Sequence, residues 1–136
     1  MADDVVLNKS AIIERCLERV REEYQGYEDS LATDLTRQDA IILNLLRACE
    51  AAIDLAMHGV RIRRLGLPQE SRAAFQMLAD AGVIEPGQAD RLKAMVGFRN
   101  IAVHNYQALD LDIVRSIIND RLDDFRDFTR TMIQSV

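Results

Sequence analysis

The stretch LKAMVGFRNIAVHNY, residues 92–106, reads as a helix that is apolar around almost its whole circumference. Turning about 100° per residue from Leu92 puts Val96 and Val103 on one stripe, with Arg99 among them where a leucine would be expected. A charge set among apolar neighbours needs a partner. Asn100 and His104 are four apart and share the adjacent face, and Gly97 lies on that face one turn earlier, leaving a gap where another surface approaches. Phe98, Ile101 and Ala102 make the remaining side apolar as well. Such a helix, carrying Arg, Asn, His and a Gly gap, reads as a buried subunit interface with a polar site inside it.

The flanking sequence surrounds this helix with others. A first helix is predicted from about Asn8 to Gln25, with Ile13, Cys16, Leu17, Val20 and Tyr24 on one side and Arg15, Glu18 and Glu22 on the other. Thr36 opens a second as its capping residue, with Asp39 three positions on; Ile42, Leu45, Leu46, Cys49, Ile53 and Ala56 form its stripe until Gly59 stops it. Ser71 caps a short third helix carrying Phe75 and Leu78 and closed by Gly82. Pro86 occupies the first turn of the fourth, which bears the opening stretch. Asp110 caps the fifth, whose Leu111, Val114, Ile118, Leu122, Phe125 and Met132 recur at helical spacing. No strand pattern or internal repeat interrupts this order. Short connections between long amphipathic helices imply an all-α, up-down antiparallel bundle of about five helices, dimerising through the helix of Arg99 and His104.

Composition agrees with one helical domain spanning residues 1–136. The chain has 49% hydrophobic and 5% aromatic residues, with no Trp and two Pro, which favours helices over sheets. Its single core is small enough for dimer burial to help. Cys16 and Cys49 fall at apolar helical positions and read as two buried hydrophobes in a reducing compartment. The acidic start, Met-Ala-Asp-Asp, lacks the basic region and apolar run of a secretory signal, and no stretch approaches a membrane span, so a cytoplasmic protein is expected. The formal net charge of −5 argues against binding nucleic acid through bulk electrostatics. Any RNA contact must be local.

Individual side chains admit more than one reading. Arg99 is either a buried arginine paired with Asp54 or Glu50 or a cation facing a ligand, and the two are compatible, because an orienting carboxylate leaves one edge of the planar fork free for a phosphate. His104 alone is as readily an interface histidine; Asn100 and Arg99 beside it turn the reading toward a site. Tyr106 by itself is an amphipathic interface residue. Glu50, Asp54 and His58 follow at four-residue steps, a ladder that in principle ligates a metal. An exposed polar border explains them equally, and no second ligand pair is visible, so neither a metal nor a cofactor is expected. Arg61, Arg63, Arg64 and Arg72 form the one basic cluster, open to helix-dipole compensation or to a grip on an RNA backbone.

With Arg99, Asn100, His104 and Tyr106 in order, the octet Arg99 to Tyr106 resembles the Arg-x4-His-x-Tyr signature of the HepT-like toxins, a branch of the HEPN ribonucleases of prokaryotic toxin–antitoxin pairs. The likeness extends to the helix RACEAAIDLAMH, residues 47–58, to LPQESR, residues 67–72, and to LDLDIV, residues 109–114. It implies a HEPN-like bundle whose fourth helix meets its symmetry mate at a two-fold, lining one groove with two Arg/His sets. It implies a metal-independent endoribonuclease in which RNA supplies its own 2′-hydroxyl as nucleophile. His104 then serves as the acid–base group, Arg99 as the cation facing the developing phosphorane charge, and Asn100 orients substrate or imidazole. It further implies a minimal nucleotidyltransferase antitoxin of the MntA type, which transfers AMP onto Tyr106 and so blocks the groove. The alternative is a non-catalytic helical subunit that presents substrate to such a nucleotidyltransferase.

Overall fold

A computed structural model describes residues 3–135, and among them there is no strand. Six α-helices follow one another: α1 (Asp4–Tyr24), α2 (Leu35–Ile62), α3 (Ser71–Asp80), α4 (Pro86–His104), α5 (Leu111–Asp120) and α6 (Leu122–Gln134). Single 3₁₀ turns, Glu28–Ser30 and Tyr106–Ala108, precede α2 and follow α4. The longest helix, α2, is the spine: α1, α3, α4 and α6 all pack on it, while α5 packs on α6. Its inward-facing positions are buried from Ile41 to Val60, while Leu43 faces solvent. Phe75 of α3 meets Phe128 of α6 edge to face, centroids 5.4 Å apart, and Phe125 is equally enclosed. Burying side chains of this size contributes roughly 1.5–3 kcal/mol each. Cys16 and Cys49 are both buried and free, and burial pushes the Cys49 thiol up to about 12.

The bundle is the expected one, with four local differences. First, α1 begins four residues earlier than the periodicity suggested, because Asp3 caps it by accepting from the Val5 N–H at 2.7 Å. Second, Asp34 rather than Thr36 caps α2, accepting from the Arg37 N–H at 3.2 Å. Asp39 is thereby released from any capping box. Third, Gly59 does not stop α2. It lies inside the helix, where a Cβ would meet the tip of the Met132 side chain of α6 at 2.5 Å and that side chain would have to shift. The helix runs on to Ile62 and is closed just beyond its Arg63 cap by Arg64, whose φ of 54° lets the Leu65 N–H reach back to the Val60 carbonyl and the Arg64 N–H to that of Arg61. Fourth, the predicted fifth helix is two. Arg121, at φ −124° and ψ −2°, separates α5 from α6 although its N–H still donates to the Ile117 carbonyl.

Pro86 and Asp110 are where expected: Pro86 is the first residue of α4, and the Asp110 carboxylate caps α5 through the Asp112 N–H. Along the interior of α4, Leu92, Met95, Val96, Phe98 and Ala102 are buried. Val103 leaves the expected stripe. It is 49% exposed and Ile101 is 43% exposed, because the last turn of α4 runs out of cover from its own chain. Helices α2 and α4 are antiparallel neighbours, since Glu50 stands opposite Arg99 while the earlier Asp39 stands opposite the later Tyr106.

Candidate active site

Arg99 is the structural centre of the site. Its Nη2 donates to the Ser71 Oγ at 2.9 Å, and its Nη1 lies 3.4 Å from the Glu50 Oε1. The side chain is 20% exposed, and its Nε is closed off from solvent without a partner. Two anchors on two helices hold the planar fork, while each terminal nitrogen retains a further N–H for a ligand. Of the two carboxylates expected beside it, Glu50 is present and Asp54 is not. Asp54 pairs with Lys9 at 3.0 Å across the α1–α2 seam.

Ser71 was assigned by sequence to the cap of α3, and that assignment does not hold. Glu70 occupies the cap position in an extended conformation with no side-chain bond, which leaves the Ser71 hydroxyl for Arg99. A serine just before an apolar run carries the same local signal whether it caps or reaches elsewhere. Only the packing of α3 on α4 decides.

At about 100° per residue, Asn100 and His104 lie between Val103 on one side and Ile101 on the other. His104 is exposed at the C-terminal end of α4, and Asn100 is half-buried one turn before it. Among the described residues neither the amide nor the imidazole has a side-chain hydrogen-bond partner. Gly97, on the same face, is approached by this chain's own Arg72, whose Nη2 would be 3.1 Å from a Cβ placed there. Arg72 therefore stands over the site.

The other three arginines of the sequence cluster are spread out. Arg61 donates to the His58 Nδ1 at 2.9 Å, and Arg63 donates to the Gly59 carbonyl at 3.1 Å and the Ser135 carbonyl at 3.3 Å. Both hold the framework. Arg64 is exposed at the end of α2. The Glu50, Asp54, His58 ladder likewise does not converge: Glu50 faces Arg99, Asp54 faces Lys9, and buried His58 meets the Asp3 carboxylate at 2.6 Å.

Tyr106 opens the 3₁₀ turn after α4 and is 38% exposed. Its hydroxyl donates to the Asp39 Oδ1 at 2.5 Å. Burial pushes the phenol well above its ordinary pKa, and the bond to Asp39 pushes it further the same way, because both disfavour a phenolate. Sequence reasoning missed Asp39, having spent it on the start of α2.

The arrangement is an anchored cation, a free imidazole and amide one helical face away, and an accessible phenol held by a carboxylate. Known proteins resemble this chain along nearly its whole length. The mRNA nuclease HepT of Shewanella oneidensis is 48% identical over 126 residues, covering 93% of this chain and 94% of that protein. The solved structure of a tri-AMPylated Shewanella oneidensis HEPN toxin in complex with its MNT antitoxin superposes with a TM-score of 0.92 at 46% identity, over 98% of this chain and 99% of that one. A toxin–antitoxin crystal structure with AMP-PNP matches at 45% identity and a TM-score of 0.92, covering 98% of this chain and 100% of the other. Residues 13–132 match the family model described as ribonuclease HepT-like, and with a bundle of the same outline beneath that match, the chain belongs to the HepT-like ribonuclease family.

Proposed function

We propose that this chain is the toxin of a toxin–antitoxin pair: a metal-independent endoribonuclease that works as a homodimer in the cytoplasm. A nucleotidyltransferase of the MntA type silences it by placing AMP on Tyr106. The observation that carries the reading is an Arg99 anchored by Glu50 and Ser71 beside an Asn100 and a His104 that have no side-chain partner among the described residues. A purely structural arginine needs only its carboxylate; the neighbouring amide and imidazole are then unexplained. The relative from Shewanella oneidensis bears the name mRNA nuclease, and its toxin is found tri-AMPylated with an MNT antitoxin.

In this reading the 2′-hydroxyl of RNA attacks the adjacent phosphorus. His104 takes the hydroxyl proton, and the His104 of a second copy across the two-fold protonates the departing 5′-oxygen. The remaining N–H groups of Arg99 face the non-bridging oxygens as charge builds on them, and Asn100 orients the sugar or the imidazole. Arg72, over Gly97, adds a second cation to the same face, and exposed Arg64 extends the grip toward the backbone. AMP on Tyr106 sets a bulky anion where the RNA phosphate would lie, so substrate is excluded by charge and by volume.

The test is cleavage of RNA by the purified chain in excess EDTA. Cleavage is expected to persist and to leave a 2′,3′-cyclic phosphate or 3′-phosphate with a free 5′-hydroxyl. A deoxyribose at the cut site should block it, and Arg99→Ala and His104→Ala should each lower the rate by about a hundredfold or more with the helical fold kept. A folded His104→Ala chain with full activity would take the chemistry away from His104, and a folded wild type that cleaves no RNA would instead favour the non-catalytic, substrate-presenting reading.

A further inference from the structure

We infer that Asp39 is the general base for AMP transfer onto Tyr106, so that the toxin carries its own proton acceptor. This rests on the reading of Tyr106 as the AMP acceptor given above. Its basis is the contact between α2 and the turn after α4, where the phenolic O–H donates straight to the Asp39 Oδ1 at 2.5 Å. Asp39 is exposed and Tyr106 is 38% exposed, so a bound nucleotide reaches the pair from solvent. Among the described residues, no other charged side chain is hydrogen-bonded or ion-paired to either member. An aspartate whose one partner is a phenol is not there to balance a cation.

The chemistry requires such a group. Burial and the carboxylate together keep the resting phenol protonated at neutral pH, so no phenolate waits for the phosphorus. The proton must leave as the new bond forms. The phenolic oxygen bonds to the α-phosphorus of ATP, and the bond from that phosphorus to the β-bridging oxygen breaks. Pyrophosphate departs with the electron pair, and the phenolic proton passes to the Asp39 carboxylate. As the phenol oxygen gives electron density to phosphorus its acidity rises, and the hydrogen bond already in place becomes the path of transfer.

A mere latch tying the turn to α2 would use the same contact, and Asp39→Asn separates the two roles. The amide oxygen still accepts the phenolic O–H and keeps the tyrosine in place, but it cannot take the proton. The experiment follows AMP addition by intact mass, with the full-length chain, its cognate nucleotidyltransferase, ATP and magnesium, comparing wild type, Asp39→Asn, Asp39→Glu and Tyr106→Phe. Circular dichroism and antitoxin binding check that each variant folds. Asp39→Asn is expected to slow the first addition by about a hundredfold or more. Its residual rate should climb about tenfold per pH unit as solvent supplies the phenolate, where the wild type stays level between about pH 6 and 8. Asp39→Glu should recover part of the loss. A folded Asp39→Asn chain modified at the wild-type rate overturns the assignment and leaves Asp39 a latch. If the wild type gains no mass, or Tyr106→Phe gains as much, the acceptor reading itself fails and the base falls with it.

Discussion

Arg99 costs the fold something wherever it sits, since its Nε is buried without a partner and its charge is mostly enclosed. Glu50, with nearly half of its side chain exposed, compensates only weakly through screened attraction. The Ser71 hydroxyl at 2.9 Å is the more directional anchor, and it comes from a different helix. Ser71→Ala is therefore expected to lower stability by about 1 kcal/mol. It should also slow RNA cleavage by roughly tenfold, through misorientation of Arg99 rather than loss of its charge. Thermal melts beside single-turnover rates check both, and Arg99→Lys should not substitute, because an ammonium lacks the planar fork. That Arg99 would seek a carboxylate such as Glu50 or Asp54 was legible from its place among apolar residues, because a buried charge needs a partner. Which of the two it takes was not, because they are one turn apart and only Lys9, on a different helix, removes Asp54 from the choice.

Helix ends, more than helix cores, carry what the sequence concealed. Each stripe of apolar residues foretold its helix, yet Thr36, Ser71 and Gly59 were given terminal roles that Asp34, Glu70 and Arg64 hold. Periodicity continues unbroken through Arg121 because one non-helical residue leaves the spacing of Ile118, Leu122 and Phe125 intact. The start of α1 shows how distant elements settle such ends. Asp3 both caps α1 and receives His58 from the last turns of α2, and Arg61 fixes the tautomer: a guanidinium only donates, so His58 Nδ1 accepts and Nε2–H faces Asp3. The bond from His58, then the Val5 N–H, hold the Asp3 carboxyl below its ordinary 3.8. A carboxyl lowered by folding contributes stability above its unfolded value, and that contribution is lost as pH falls through the still lower folded value. Asn caps a helix as well as Asp, so Asp3→Asn isolates the contact with His58. The variant should melt below the wild type at neutral pH, with the gap closing as pH drops beneath about 3.8.

At the scale of the whole molecule, the last turns of α4 present a surface that one chain does not finish. Val103 and Ile101 are half exposed on either side of Asn100 and His104, so the polar groups proposed for chemistry sit inside an apolar frame. Isolated exposed hydrophobes need no explanation, but two that bracket the polar site of one helix do. A second copy docking along a two-fold would cover both, bring the two His104 side chains to one groove and exclude water from the charge that develops there. Val103→Asp puts a carboxylate, and by symmetry two, at the centre of that contact, where desolvation and like-charge repulsion both oppose association. The variant is expected to keep its helical circular dichroism, to elute as a monomer where the wild type elutes as a dimer, and to lose RNA cleavage although Arg99, Asn100 and His104 are all present. Dilution of the wild type should lower its specific activity in parallel with its dimer fraction. A Val103→Asp chain that remains dimeric and active would move the two-fold away from α4, and with it the requirement that acid and base come from different subunits.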